Sequence, residues 1–179
     1  LEMDRGFIRV NERFETSLPG VHAIGDAIGG MMLAHAASAQ GLTVVHAIAG
    51  EEAPMCLEAI PACVYVSPEI ACVGLTQADC QQRGIEAKVG KALMGANGRT
   101  LIAGGQRGFI KVVADAQDGR VLGAQLMCER ATDMIDSFTV AIANGMTAKQ
   151  LMRAVRPHPT FLEAVGEALD ALEGRAIHS

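Results

Sequence analysis

The segment Arg156 to Glu163, R-P-H-P-T-F-L-E, sets a histidine between two prolines just ahead of a helix that carries a glutamate near its start. Imidazole can take and give up a proton near neutrality, and a carboxylate bonded to one ring nitrogen fixes the tautomer and raises the basicity of the other. His158 is therefore a candidate base and Glu163 its orienting partner. A structural reading uses the same residues: Thr160 caps the helix, Glu163 at the third helical position completes a capping box worth about 1 kcal/mol, and His158 is a loop residue. Spacing alone leaves both readings open. Pro157 and Pro159 limit the freedom of the loop in either case.

A second constellation runs from Thr16 to Asp26, T-S-L-P-G-V-H-A-I-G-D. Here a β-type run delivers a carboxylate directly after a glycine that permits close backbone approach. Asp26 in that place suits a sugar or polyol hydroxyl, although Gly-Asp after a strand is also an ordinary turn. The residues that follow, Met32, Leu33, Ala34 and His35, open a small-residue helix whose free N–H groups and positive dipole end can face an electron-rich ring or an anion.

These groups need elements to hold them. Gly6–Val10 and Val21–Ile24 read as short strands, and Met32–Ala49 as a helix closed by Gly50. From Glu51 the character changes, with Pro54, Pro61 and Pro68 between β-type runs at Cys63–Val66 and Ile70–Leu75. A domain boundary is expected there, dividing the chain into residues 1–52 and 53–179. Thr76 with Asp79 marks a helix start that Gly84 ends. Strands are predicted at Ala87–Leu93, Gly108–Ala114 and Arg120–Met127, the last two joined through Asp118-Gly119. Helices are predicted at Arg130–Ala143, Thr147–Val155 and Thr160–Leu172. Strands followed by helices, rather than strict alternation, imply an α+β fold in which an antiparallel sheet carries its helices on one face.

Composition narrows the function. Half of the 179 residues are apolar, enough for a real core, and the net charge of −5 includes no basic block that could neutralise a row of phosphates. With no Trp and one Tyr there is little to stack on bases, so nucleic acid is not an expected partner. The most apolar stretch, Val21–Gly50, is broken by Asp26, histidines and glycines, so no membrane span is expected. The N-terminal segment has no secretory pattern, and a cytoplasmic protein is expected, with a mitochondrial matrix origin left open. Five cysteines at wide spacings form no C-x-x-C pair, so no metal site is expected and the thiols read as reduced.

Taken together, A-I-G-D, M-L-A-H and Ala39-Gln40-Gly41 resemble the second FAD-contacting segment of the flavoprotein disulfide reductases. M-L-A-H is the form found in the dihydrolipoamide dehydrogenase family. P-A-C-V-Y-V-S-P-E-I-A-C-V-G-L-T from Pro61 resembles the opening of the same family's interface domain, and H-P-T-x-x-E resembles its active-site signature. The chain departs from the pattern at Met31, where proline is usual, at Gln40, where an acidic residue is common, and at Arg156, where a second histidine is often found.

The resemblance implies the tail of an FAD-binding region followed by a dimerisation domain. Asp26 and Met32–His35 would contact the flavin, and His158, oriented by Glu163, would be the base, with a cis His158-Pro159 bond. It implies a homodimer through residues 53–179, with oxidation of a lipoyl-bearing protein by thiol–disulfide exchange and electrons passing through FAD to NAD. The chain carries no G-x-G-x-x-G fingerprint and no C-x-x-x-x-C redox pair. It is therefore expected to be a carboxyl-terminal fragment, inactive alone and retaining neither cofactor. The alternatives are a non-catalytic dimerisation module and part of a related reductase such as glutathione reductase.

Overall fold

A computed structural model describes residues 1–105 and 107–177, which fall into two compact units, Leu1–Ile60 and Pro61–Ser179. In the first unit, β1 (Met3–Asp4) and β2 (Phe7–Ile8) form a small hairpin, shorter than the strand expected over residues 6–10 because the chain turns at Arg5-Gly6 with positive φ at both residues. Val21–Ile24 forms no strand. It meets residues 14–16 through the single bridge Glu15–His22, with Thr16 N–H on the Val21 carbonyl and Ala23 N–H on the Phe14 carbonyl, and makes no longer ladder. A 3₁₀ turn at Gly25–Ile28 follows, then α1 (Ala34–Ala49), which ends at Gly50 in the left-handed conformation.

The second unit is built on a five-stranded antiparallel sheet in the order β3-β4-β7-β6-β5, from β3 (Ala62–Val64), β4 (Glu69–Gly74), β5 (Ala87–Leu93), β6 (Phe109–Asp115) and β7 (Val121–Cys128). Between β4 and β5 lies α2 (Gln77–Gln82), opened by the expected box: Thr76 Oγ1 accepts from Asp79 N–H while Thr76 N–H donates to the Asp79 carboxylate. Helices α4 (Ala131–Met134), α5 (Asp136–Ala143), α6 (Ala148–Met152) and α7 (Glu163–Ala171) close the unit after the sheet, and α3 (Gly98–Ile102) sits between β5 and β6.

Alternation in the strands sends Ala71, Val73, Ala92, Ile110, Val112, Ala124 and Leu126 to one face, where they meet Phe138, Leu151, Val165, Ala168 and Leu169 from the helices in one buried cluster. This is the expected α+β arrangement. The predicted helix 130–143 is split at Ile135, where the Phe138 N–H reaches the Ile135 carbonyl and tightens the turn. The last helix begins later than expected. Ala164 N–H bonds the Phe161 carbonyl and Val165 N–H the Leu162 carbonyl, so the residues before Glu163 form tight turns and the α ladder starts at Glu163.

Where α7 lies on the sheet, β5 has a glycine. A Cβ at Gly90 would stand 2.0 Å from the Ala168 carbonyl oxygen and 2.8 Å from the Leu172 nitrogen. The two nearest atoms are backbone and cannot move aside as the Leu172 side chain, at 3.0 Å, could. Gly90→Ala is expected to lift α7 from the sheet and lower stability by about 1–3 kcal/mol, read as a lower urea midpoint. An unchanged midpoint would show that α7 is not seated on β5 at this point.

Candidate active site

The loop leaving α6 is fixed from several sides before it reaches the histidine. Arg156 folds back to donate to the Ala154 carbonyl at 3.1 Å and the Leu151 carbonyl at 3.4 Å, so it closes the end of α6 and does not pair with His158. Burial lowers its guanidinium pKa, a cost that Asp170 partly offsets by its charge. The His158-Pro159 peptide is cis. Beyond it, Thr160 turns its hydroxyl onto the Pro157 carbonyl at 2.7 Å, while its N–H donates to Glu163 Oε2 at 2.9 Å. The glutamate half of the capping box is thus in place, and the threonine hydroxyl also ties the helix start to the loop.

The other glutamate oxygen, Oε1, lies 2.8 Å from His158 Nδ1. An ionised carboxylate can only accept, so the proton of this bond sits on Nδ1 and the lone pair is left on Nε2. With its side chain 78% exposed, His158 is well solvated, and such a pair adds about 1 kcal/mol or less to stability. Its chemical value is greater than its structural one: it presents a base of defined tautomer at the surface.

His158 and Glu163 line an open pocket of about 310 Å³ together with Ala92, Leu93, Asn97, Ala164 and Glu167. Asn97 was not among the residues singled out from the sequence, although N-G-R-T has the look of a helix start. Its Oδ1 accepts from Thr100 N–H at 2.9 Å and Thr100 Oγ1 at 3.1 Å, and its Nδ2 donates to the Thr160 carbonyl at 3.0 Å.

In the first unit, Gly25 takes φ +64°, and a Cβ there would come within 2.9 Å of the Ala37 Cβ, so the turn before Asp26 lies directly against α1. Gln40 Oε1 accepts the Gly25 N–H at 2.7 Å. The neutral amide at this departure from the family pattern therefore still braces the turn. Asp26 is exposed in the 3₁₀ turn, Met32 is exposed and Leu33 half-buried ahead of α1, and Ala34 and His35 are its first two residues. Leu33 supplies no side-chain cap, and the leading N–H groups of a helix have no acceptor within it. A hydroxyl-seeking carboxylate and a run of amide donors fit the polyol chain and electron-rich ring of a flavin. The pair His158–Glu163 belongs to the second unit, and these residues to the first.

Comparison with known proteins gives the same division. The model of the pyridine nucleotide-disulphide oxidoreductase dimerisation domain matches residues 60–169, and that of pyridine nucleotide-disulphide oxidoreductase matches residues 1–41. The chain belongs to this family. It is 43% identical to a dihydrolipoyl dehydrogenase of Thermus scotoductus, aligned over 98% of the chain and 38% of that protein. With the enzyme of Zymomonas mobilis the identity is 41%, over 99% and 39%, and with the mitochondrial enzyme of Caenorhabditis elegans 41%, over 98% and 36%. The chain thus spans less than two-fifths of the length of these relatives. Its structure superposes on LpdA of Mycobacterium tuberculosis with a TM-score of 0.88 and 27% identity, over 96% of this chain and 38% of that one. RclA of Escherichia coli, an HOCl-induced flavoprotein disulfide reductase, shares the fold at a TM-score of 0.83 and 24% identity, over 94% and 39%.

All five cysteines are free, Cys56 and Cys72 exposed, Cys80 and Cys128 buried, Cys63 between. Among the described residues no group of three or more His, Cys, Asp and Glu could hold a metal ion. Burial, with the charges of Glu69 and Glu129, pushes the Cys128 thiol up to about 12, so it stays protonated and inert as a nucleophile. A thiol reagent is expected to modify Cys56 and Cys72 quickly in the folded chain, Cys63 more slowly, and Cys80 and Cys128 only on unfolding; fast loss of the Cys128 thiol would contradict its burial. Because the folded pKa lies above the ordinary 9.0, the stability linked to this thiol is complete below pH 9 and is lost as pH rises toward about 12. Cys128→Ala is expected to flatten that alkaline decline, measured by denaturant midpoints.

Proposed function

We propose that this chain is the carboxyl-terminal part of a dihydrolipoyl dehydrogenase, contributing the catalytic base and the dimer contact of an enzyme that oxidises dihydrolipoyl groups by thiol–disulfide exchange. The observation that carries the reading is the His158 Nδ1–Glu163 Oε1 contact of 2.8 Å in an open pocket. Only a thiolate attacks a disulfide well, and a dihydrolipoyl thiol near neutrality is mostly protonated. Nε2 of His158, left with its lone pair, takes that proton. Glu163 holds the ring in the productive tautomer and stabilises the imidazolium that results.

The substrate is a lipoyl-bearing protein, and identity above 40% to three dihydrolipoyl dehydrogenases supports that choice. FAD, held in part by Asp26 and the backbone around Met32–His35, would supply the electron transfer to NAD in the intact enzyme. Taken alone, the chain binds neither cofactor tightly, since the greater part of the relatives' length lies outside it. A flavin spectrum retained by the purified chain would refute that statement.

The working unit is a homodimer through the second unit, in which Val64, Tyr65, Val66 and Ile70 are left 50%, 81%, 52% and 40% exposed and offer apolar surface for association. Among the described residues no helix is long and apolar enough to cross a membrane. Relatives from bacteria and one named as mitochondrial support a place in the cytoplasm or the mitochondrial matrix.

Combining the chain with a fragment that carries the FAD and NAD domains is expected to restore lipoamide-dependent NAD reduction. Substituting His158→Gln in that assembly should cost roughly 10²–10⁴-fold in turnover, the usual scale for losing a general base. Restored activity that survives the substitution would leave the chain as a dimerisation module with no chemical role.

A further inference from the structure

Asn97 is one of two buried polar residues in the described chain, 7% exposed, and stands at the start of α3. A buried amide must satisfy both ends. Its oxygen does the ordinary work of a helix cap, accepting from Thr100 N–H and Thr100 Oγ1. Aspartate or serine would serve there as well. The nitrogen is what sets asparagine apart, and it crosses 63 residues of sequence to donate to the Thr160 carbonyl at 3.0 Å. With two donors on one atom and a carbonyl facing the other, only this orientation of the amide is consistent.

Thr160 is the residue through which the loop and α7 are joined. Its carbonyl is held by Asn97, its hydroxyl by the Pro157 carbonyl, and its N–H by Glu163 Oε2, the carboxylate whose other oxygen holds His158. A second contact runs in parallel, with the Arg99 guanidinium 5.9 Å from the centre of the Phe161 ring. Asn97 also lines the pocket that holds His158 and Glu163.

We propose that Asn97 is a positioning residue for the His158–Glu163 pair, acting through the Thr160 backbone to keep the Glu163 carboxylate on the imidazole Nδ1. The proposal rests on the reading of His158 as the base and extends it. Asn97 does not exchange a proton with the substrate. It anchors the carbonyl on one side of the Thr160 Cα, and so limits the rotation by which the preceding peptide presents the Thr160 N–H to the glutamate and the direction in which the second glutamate oxygen points.

Two substitutions separate this role from simple capping. Asn97→Asp keeps the cap on Thr100 but turns an oxygen toward the Thr160 carbonyl, removing the tie. Thr100→Ala weakens the cap and leaves the tie. Long-range ¹H–¹⁵N spectra of the 179-residue chain, recorded across pH, report the tautomer of His158 without reference to turnover. The Nδ1–H form is expected to dominate in the parent chain and in Thr100→Ala, and to fall severalfold in favour of Nε2–H in Asn97→Asp. If Asn97→Asp does not fold, Asn97→Ser, which also keeps a capping oxygen and lacks the donor, is expected to show the same fall.

An unchanged His158 tautomer in whichever of these two variants folds, or an equal change in Thr100→Ala, would overturn the proposal and leave Asn97 a cap. In the reassembled enzyme, the variant is expected to lose about ten- to a hundredfold in kcat with KM nearly unchanged, the scale of a small misplacement of a reacting group. The two claims fail separately: a tautomer shift in Asn97→Asp alongside full activity in His158→Gln would uphold the tie and refute the catalytic reading.

Discussion

The contact on which the second unit depends is the seating of α7 directly on the backbone of β5. At Gly90 the helix approaches so closely that a Cβ would lie 2.0 Å from the Ala168 carbonyl. Val165, Ala168 and Leu169 carry that contact into the core against Ile110, Val112 and Phe138. Once the helix axis is fixed in this way, the position of its first residue is fixed with it, and that residue is Glu163. A carboxylate in the first turn is also favoured by the positive end of the helix, typically by 0.3–1 kcal/mol. Its place is therefore set by packing, and the helix end adds a small favourable contribution.

The strands were legible because their alternation is regular. Residues 87–93 were bounded as they occur, and β6 and β7 differ from expectation by a residue at their ends, since inward Ile110, Val112, Ala124 and Leu126 leave little freedom of register. The box of Thr76 and Asp79 was equally readable, being a local matter of four residues. Val21–Ile24 was misread for the converse reason: an apolar run has β character, but a strand requires a partner, and local sequence says nothing about which partner is near. Helix α3 went unseen because five residues make too short a stripe to show a period.

The sequence posed the segment 156–163 as a choice between a capping box and a catalytic pair. The geometry shows that the two are not alternatives. A carboxylate has two oxygens, and Glu163 gives Oε2 to the Thr160 N–H and Oε1 to His158. What spacing could not reveal is that the Thr160 hydroxyl donates to the Pro157 carbonyl. Nor could it reveal that Arg156 turns away to the end of α6. Both depend on how the loop folds back on itself, a matter of three-dimensional path that residue spacing does not carry.

The energies of these interactions separate the two roles. The His158–Glu163 pair is exposed and contributes little to folding, so the unit would stand without it. The buried amide of Asn97 is different, since leaving either of its ends unsatisfied costs about 1–3 kcal/mol. An interaction with so small a structural return is held in place by one with a larger return. The direction of dependence runs from the core outward: the sheet seats α7, α7 and the start of α3 fix Thr160, and Thr160 determines what the exposed imidazole can do. A site arranged in this order keeps its base solvated and ready to exchange protons while the chain of contacts that orients it runs back, through the half-buried Glu163 and Thr160, to the buried Asn97.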